Sequence, residues 1–152
     1  MHRNLDITTA TPADLPAILD LIDASDLIDA SGLPRAGLDE HIPTTLVARE
    51  SSRIVGTAAL ELYGASALLR SVAVAAVLRG QGLGQRLTTA ALELARQRGV
   101  RTVYLLTETA GDFFPKFGFK TIERKDVDAA VQVSQEFTTA CPASAMVMAK
   151  QI

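Results

Sequence analysis

A glycine-rich turn between an apolar strand and a long helix constrains this chain more than any other feature. Residues 67–75 are largely apolar, as in a buried strand, and a regular helical pattern begins near Gly82. Gly80, Gly82 and Gly84 remove side chains from the turn, so backbone N–H groups can approach an anion closely. The N-terminus of the following helix adds partial positive charge at the same place. The segment therefore predicts a binding site for a pyrophosphate.

Two familiar phosphate-binding loops do not fit this turn. A dinucleotide-binding fingerprint that begins at Gly80 would need a glycine where Gln85 stands, and a Walker loop would need a lysine followed by serine or threonine. The turn instead has the pattern Arg/Gln-x-x-Gly-x-Gly/Ala, in which Arg79 adds a full positive charge. The residues predicted to bind the pyrophosphate are Arg79, Gly80, Gln81, Gly82, Leu83, Gly84 and Gln85.

Composition indicates a small single-domain enzyme. With 152 residues, 48% of them hydrophobic, the chain is long enough for one domain with a substantial core, so we expect residues 1–152 to form a single domain. The formal net charge of −2 gives no general attraction to nucleic acid or to acidic membranes. No apolar run reaches the ~20 residues that a bilayer needs, and no apolar leader opens the sequence, which predicts a cytoplasmic location.

Cysteine and histidine are too scarce to suggest a metal centre. Cys141 is the only cysteine, which excludes an internal disulfide and a cysteine-based metal cluster. The two histidines, His2 and His41, are far apart in the sequence. We therefore expect no bound metal.

Periodicity along the chain predicts alternating strands and helices. Predicted strands cover residues 5–9, 44–49, 54–62, 67–74, 102–106, 119–123 and 144–150. Predicted longer helices begin at Pro12 and near residue 82, and shorter helical segments cover 38–41 and 113–117. Residues 129–137 are predicted to form a helical or irregular insertion. This order predicts an α+β fold with a mixed sheet.

The glycine turn and a second motif together resemble the GNAT superfamily of N-acetyltransferases. In that superfamily the strand after the long helix is followed by Asn-x-x-Ala-x-x-Phe-Tyr-x-Lys-x-Gly-Phe. Residues 107–119 fit this frame, and the matching positions are Ala110, Phe113, Lys116, Gly118 and Phe119. The predicted order of elements is also that of the superfamily, so the resemblance covers most of the chain.

The resemblance implies a GNAT fold, with a central sheet of six or seven strands, helices on both faces and splayed fourth and fifth strands. It also implies acetyl-CoA as cosubstrate and direct attack of an amine on the thioester. The backbone of Val72, Ala73 and Val74 would bind the pantetheine arm, and the N–H of Val74 would stabilise the developing oxyanion. The remaining residues implied at the acetyl-CoA site are Thr107, Phe113, Phe114 and Lys116.

Two residues depart from the second motif. Thr107 stands where the superfamily has asparagine, and Phe114 stands where it has a tyrosine that often protonates the departing CoA thiolate. Phe114 has no hydroxyl to donate. General acid catalysis contributes roughly 10²- to 10⁴-fold, and a CoA thiolate is a fairly stable leaving group, so the reaction remains feasible while the proton donor stays unassigned.

The general base has three candidates. They are Glu61, Glu108 at the mouth of the predicted cleft, and a water held by backbone groups. Arg70 is predicted to lie near Glu61 across the hairpin. One interpretation is a structural ion pair; the other is that Arg70 binds an acceptor carboxylate through its bidentate fork, with Glu108 also close to the acceptor.

Strand alternation also predicts which way these side chains face. Arg70 is expected to share a face with Leu68, Val72 and Val74, whereas Ser71 is expected on the opposite face with its hydroxyl bonded to backbone.

Four segments look like the arsenic-resistance N-acetyltransferases encoded in bacterial arsenic operons; they are residues 59–64, 68–74, 113–119 and 141–145. Relatives of that group acetylate the α-amino group of amino-acid antimetabolites such as phosphinothricin and its arsenic analogue. This resemblance implies a small amino-acid-like acceptor. The alternative acceptors are a polyamine and a protein N-terminus, and a further alternative is a noncatalytic CoA-binding sensor. An exposed third or last strand would suit a homodimer.

Overall fold

A mixed sheet of seven strands organises the part of the chain that the structure describes, residues 5–24, 38–78, 80–107, 113–132 and 146–152 of a computed structural model. The strands are β1 Leu5–Thr9, β2 Thr45–Glu50, β3 Arg53–Tyr63, β4 Ser66–Val74, β5 Thr102–Thr107, β6 Lys120–Ile122 and β7 Met146–Gln151. Their order across the sheet is β1-β2-β3-β4-β5-β7-β6. Neighbouring strands are antiparallel except β4 and β5, which are parallel. This arrangement confirms the predicted mixed sheet.

The helices are α1 Leu15–Ala24, α2 Leu83–Gln97 and the short α3 Ala129–Gln132. Short 3₁₀ segments are Pro12–Asp14, Leu38–Thr44, Ala76–Leu78, Phe114–Phe117 and Arg124–Asp126. Within the described ranges, no helix is both long and apolar enough to cross a bilayer. Of the segment 129–137, the structure shows residues 129–132 as the helix α3. Residues 133–137 lie outside the described residues.

The two longer helices cover opposite faces of the sheet. Helix α2 buries Leu87 and Ala91 in a cluster with Leu60 of β3, whereas α1 buries Ile18 in a second cluster with Ala59, the preceding residue of β3. Neighbouring residues of a strand point to opposite faces, so these two clusters lie on either side of the sheet. Each of the two longer helices therefore packs an apolar face against the sheet.

A bulge interrupts β4 in the middle of the sheet. Thr57 of β3 pairs with Ala73, and Ala59 pairs with Arg70, so the register shifts between them. Ser71 accommodates the shift with φ +58°, a left-handed conformation that is uncommon for a residue other than glycine.

The bulge overturns the predicted side-chain directions in β4. Val72 and Val74 pack in the α2 cluster together with Leu69, so they do not share the face of Arg70. Ser71 is also not separated from Arg70, because its hydroxyl accepts a hydrogen bond from Arg70 Nε at 3.1 Å. Simple alternation fails here because one extra residue reverses every later side chain.

Strands β4 and β5 separate before either of them ends. Their parallel pairing runs from Ser66 with Thr102 to Leu69 with Leu105. Beyond that point β4 continues to Val74 and β5 to Thr107 without pairing to each other. This split confirms the splayed fourth and fifth strands, and among the described residues no strand pairs with this edge of β4 from Arg70 onward.

Candidate active site

The glycine turn forms a small pocket at the start of α2. Gly80 has φ +77° and Gly82 has φ +82°, so glycine suits the backbone at both positions, and Gly82 is the N-cap of the helix. The pocket has a volume of about 180 Å³ and is lined by Leu78, Gly80, Gly82, Leu83, Gly84, Gln85 and Phe113. It joins five of the predicted loop residues to Phe113 of the second motif. Arg79 lies outside the described residues.

An open groove continues from this pocket along α2. It has a volume of about 540 Å³ and shares Gly82 and Gln85 with the pocket; its other lining residues are Ile7, Arg86, Thr89, Ala90, Glu93 and Phe117. Arg86 therefore brings a positive charge close to the glycine turn.

The aromatic residues of the second motif pack together. The ring of Phe114 is buried and makes edge contacts with Phe113 and Phe119, at centroid distances of 5.0 and 5.9 Å. Gly118 ends this 3₁₀ segment with φ +93°. Lys116 is exposed and lines neither the pocket nor the groove. Phe114 thus belongs to the core, and Phe113 is the member of this set that reaches the pocket.

The open edge of β4 carries the backbone groups predicted to bind the cosubstrate. Val72, Ala73 and Val74 are all buried in the last part of this strand. The N–H of Ala75 donates to Val55 O at 2.8 Å, on the β3 side. Because successive N–H groups of a strand point to opposite edges, the N–H of Val74 points toward the split. Thr107 lies on the other side of this split, at the end of β5.

A buried ion pair lies where β4 leaves β5. Arg70 Nη1 donates to Glu61 Oε2 at 2.8 Å, and the two side chains are 0% and 2% exposed. The hydroxyl of Tyr63 donates to the other carboxylate oxygen at 2.5 Å. The register places Glu61 opposite Leu68 and Arg70 opposite Ala59, so the pair is diagonal. The predicted proximity of Glu61 and Arg70 is therefore confirmed. Glu108 lies outside the described residues.

His41 joins this cluster, a contact that was not predicted from the sequence. Its Nε2 lies 3.8 Å from Glu61 Oε1, and its side chain is 20% exposed. Among the described residues, no group of three or more histidine, cysteine, aspartate or glutamate side chains is arranged to hold a metal ion. The contact depends on how the 3₁₀ segment Leu38–Thr44 crosses β3, which local periodicity does not reveal.

A separate groove lies between α1, the β2–β3 turn and the end of β4. Its volume is about 550 Å³, and the carboxylate of Asp14 accepts a hydrogen bond from Arg49 Nη2 there at 2.6 Å. This hydrogen bond and one from the backbone N–H of Thr11 lower the pKa of Asp14 below its usual value of 3.8. The groove was not predicted from the sequence.

Known proteins share both the sequence pattern and the fold. A family model described as an acetyltransferase (GNAT) domain matches residues 41–121. The amino-acid acetyltransferase of Mycobacterium tuberculosis is 32% identical over 132 residues, which cover 82% of this chain and 74% of that protein. An uncharacterized N-acetyltransferase of Chlorobaculum tepidum, CT2212, is 34% identical over 87 residues, which cover 57% of this chain and 56% of that protein.

Solved structures agree with this assignment. The structure of Rv2747 from Mycobacterium tuberculosis in complex with CoA has a TM-score of 0.79 and 25% identity, covering 97% of this chain and 99% of that one. N-acetylglutamate synthase from Neisseria gonorrhoeae, complexed with coenzyme A and N-acetyl-glutamate, has a TM-score of 0.82 and 20% identity. That match covers 99% of this chain but 36% of the synthase, so it shows the fold alone.

A sheet split between two parallel strands, followed by a glycine-built pocket at a helix start, defines a class of CoA-dependent acyltransferases. The chain belongs to the GNAT acetyltransferase family, because the family model covers more than half of it and a relative matches most of its length. The domain is accordingly an N-acetyltransferase, and acetyl-CoA is its cosubstrate.

Proposed function

We propose that this protein transfers the acetyl group of acetyl-CoA to the α-amino group of a small amino-acid-like acceptor, and that Arg70 binds the carboxylate of that acceptor. The observation that carries the proposal is the buried Arg70–Glu61 pair at the point where β4 leaves β5. Burying two charges is costly, and packed apolar residues often stabilise a core as well or better. A role in recognition accounts for a charged pair in this position.

The similarity to an amino-acid acetyltransferase supports this class of acceptor. The guanidinium group presents five N–H donors in a planar fork that matches a carboxylate. Glu61 and Ser71 each accept one hydrogen bond from Arg70, which fixes the plane of the fork. Arsenic-operon antimetabolites belong to the same chemical class, since they carry an α-amino group beside a carboxylate, and they form the narrower part of the proposal.

Acetyl-CoA would extend from the glycine pocket into the split. The pocket at Gly80 and Gly82 suits the pyrophosphate, and the neighbouring groove with Arg86 suits the nucleotide end. Backbone groups on the open edge of β4 would pair with the amides of the pantetheine arm, since buried backbone polar groups need partners. The N–H of Val74, which points to this edge, would donate to the thioester oxygen as negative charge develops there.

The reaction then needs an unprotonated amine close to the thioester carbon. The amine nitrogen forms the C–N bond, the C–S bond breaks, and the nitrogen loses its extra proton as the amide forms. The CoA thiolate takes up a proton from solvent or from the amine, because Phe114 offers none. Within this proposal, water or Glu108 would accept the proton from the amine or donate a proton to the thiolate.

Turnover of acetyl-CoA against a panel of amines tests the proposed function. The panel should contain L-glutamate and other amino acids, phosphinothricin, a polyamine and an N-terminal peptide, with CoA affinity measured in parallel by calorimetry. We expect turnover with amino acids and little with amines that lack a carboxylate. Turnover confined to the polyamine or the peptide would contradict the proposed acceptor, and tight CoA binding without any turnover would indicate a noncatalytic sensor.

A further inference from the structure

The imidazole of His41 lies against the buried carboxylate of Glu61, with Nε2 at 3.8 Å from Oε1. We propose that His41 accepts the proton from the ammonium group of the acceptor, and that Glu61 orients the ring and stabilises the charge it acquires. The inference rests on the proposed function, since it assigns the general base of the same reaction. It changes the role that the sequence suggested for Glu61, from base to positioning residue.

Glu61 is poorly placed to act as the base itself. Its two carboxylate oxygens already accept hydrogen bonds from Tyr63 and Arg70. A substrate amine would have to displace one of these partners to reach it. His41 is 20% exposed and contacts the same carboxylate. Histidine is the side chain whose ordinary titration falls near neutral pH, which suits it to accept and release a proton during turnover.

The backbone around His41 is held in a specific conformation. His41 interrupts the 3₁₀ segment Leu38–Thr44 with φ −119° and ψ 18°. The hydroxyl of Thr45 donates to the carbonyl of His41 at 2.8 Å. The hydroxyl of Thr44 donates to Leu60 O at 2.6 Å, which attaches the segment to β3 directly before Glu61. The ring therefore belongs to a fixed arrangement and not to a mobile surface loop.

Charged and polar groups from several elements surround His41. Strand β3 presents Glu61 and Tyr63, and β4 presents Arg70 behind the same carboxylate. Its own segment carries Asp39 and Glu40, both exposed, and the one charged residue of β1 is the exposed Asp6. Glu61 attracts the positive charge of a protonated ring, while Arg70 offsets part of that attraction.

The proton balance of the step is simple. With the Nε2–H of His41 directed at Glu61, the lone pair of Nδ1 takes one proton from the acceptor ammonium. The free amine attacks the thioester carbon, the C–N bond forms and the C–S bond breaks. The second proton of the amine passes to the CoA thiolate, and His41 returns its proton to solvent. Ammonium and acetyl-CoA thus give an amide, a CoA thiol and one proton.

The test compares His41→Gln with His2→Gln, which alters the other histidine of the chain. The rate should be measured from acid to neutral pH with the best amino acid of the panel and, separately, with aminooxyacetate, which carries a carboxylate and an amine that is largely unprotonated near neutral pH. We expect His41→Gln to lose roughly 100-fold or more in kcat with the amino acid, together with the acidic limb of the pH profile. The loss with aminooxyacetate should be much smaller, and CoA affinity should not change.

Equal losses for both acceptors, or an acidic limb that persists in His41→Gln, would overturn the proposal, because a structural role affects both acceptors alike. If His41→Gln fails to bind acetyl-CoA, His41→Asn should be measured in its place and judged by the same criteria. His41→Ala provides a further check, since added imidazole should restore part of its activity and would not repair a packing defect. Absence of turnover in both the wild type and His2→Gln would instead refute the proposed function.

Discussion

At the scale of single residues, two substitutions of Gly82 distinguish the effect of an added charge from that of an added side chain in the pyrophosphate pocket. Its φ is +82°, and a Cβ added there would meet no atom within 4 Å. Aspartate and asparagine have nearly the same size, and both tolerate the left-handed conformation better than most residues. A carboxylate near a phosphate costs ~1 to 4 kcal/mol at ~4 Å. We therefore expect Gly82→Asp to bind CoA at least about fivefold more weakly than Gly82→Asn.

Calorimetry on the two folded variants measures this difference, with Gly82→Asn as the matched control. Equal affinities would show that no anion approaches Gly82, and the pocket at the start of α2 would then not be the pyrophosphate site.

Arg70 tests whether the buried pair recognises the acceptor. Hydrogen bonds to charged groups contribute about 1.5–3 kcal/mol each, so Arg70→Leu should raise KM for an amino acid roughly 10- to 150-fold. The change should be small for an amine without a carboxylate, and CoA affinity should stay the same. Because the substitution removes the guanidinium that balances the buried charge of Glu61, the double variant Arg70→Leu with Glu61→Gln should be measured alongside it.

Arg49→Leu is the matched control, since Arg49 also forms an ion pair with an aspartate, Asp14, in a different groove. It should affect both acceptors equally and weakly. If Arg70→Leu also lowers activity equally with both acceptors, the pair is structural and the acceptor contacts lie elsewhere.

Contacts between individual residues were the feature least predictable from the sequence. Periodicity and motif spacing predicted the glycine pocket and the Glu61–Arg70 contact, because both depend on neighbours along one strand or across one hairpin. They did not reveal His41, whose contact with Glu61 is made across 20 residues of chain by a 3₁₀ segment over β3.

At the scale of elements, Gly56 sets how closely α2 approaches β3. A Cβ at this position would lie 2.7 Å from Leu87 Cδ1 and 3.2 Å from Leu83 Cδ2. Overpacking of this kind costs roughly 1–3 kcal/mol, which exceeds the ~0.4–1 kcal/mol that alanine gains over glycine in the unfolded state. We therefore expect Gly56→Ala to lower the free energy of unfolding, as measured by urea denaturation.

Leu87→Ala removes the atom that the new methyl group would meet, and alone it should cost about 2–5 kcal/mol. In that background Gly56→Ala should be neutral or stabilising, because its methyl group fills part of the cavity. Strict additivity of the two losses would contradict the contact.

The elements themselves were largely predictable, and the bulge in β4 was not. The apolar faces of α1 and α2 follow from helical spacing, and both helices bury such a face against the sheet. The reversal of Val72 and Val74 follows from the left-handed conformation of Ser71. A positive φ at serine leaves no mark in the sequence, since glycine is the residue that normally indicates one. Strand alternation was therefore reliable only as far as Arg70.

At the scale of the whole molecule, the half-buried Asp14 and the exposed Asp128 connect distant segments and make stability depend on pH. Asp14 links the start of α1 to β2 through Arg49, with N–O distance 2.6 Å. Asp128, before α3, accepts a hydrogen bond from Ser66 Oγ of β4 at 2.8 Å. The bond from Arg49 lowers the pKa of Asp14, and the bond from Ser66 lowers the pKa of Asp128.

A carboxyl group whose pKa is lower in the folded state stabilises the fold in its ionised form. Both contributions should therefore be complete above the ordinary aspartate value of 3.8 and should be lost as pH falls through the lower pKa values of the folded state. Urea unfolding at neutral pH, near pH 4 and near pH 3 should show a decline concentrated in the lowest interval. The double variant Asp14→Asn with Asp128→Asn should be less stable at neutral pH and should decline less in acid. Parallel curves for the two proteins would show that other carboxylates control acid unfolding.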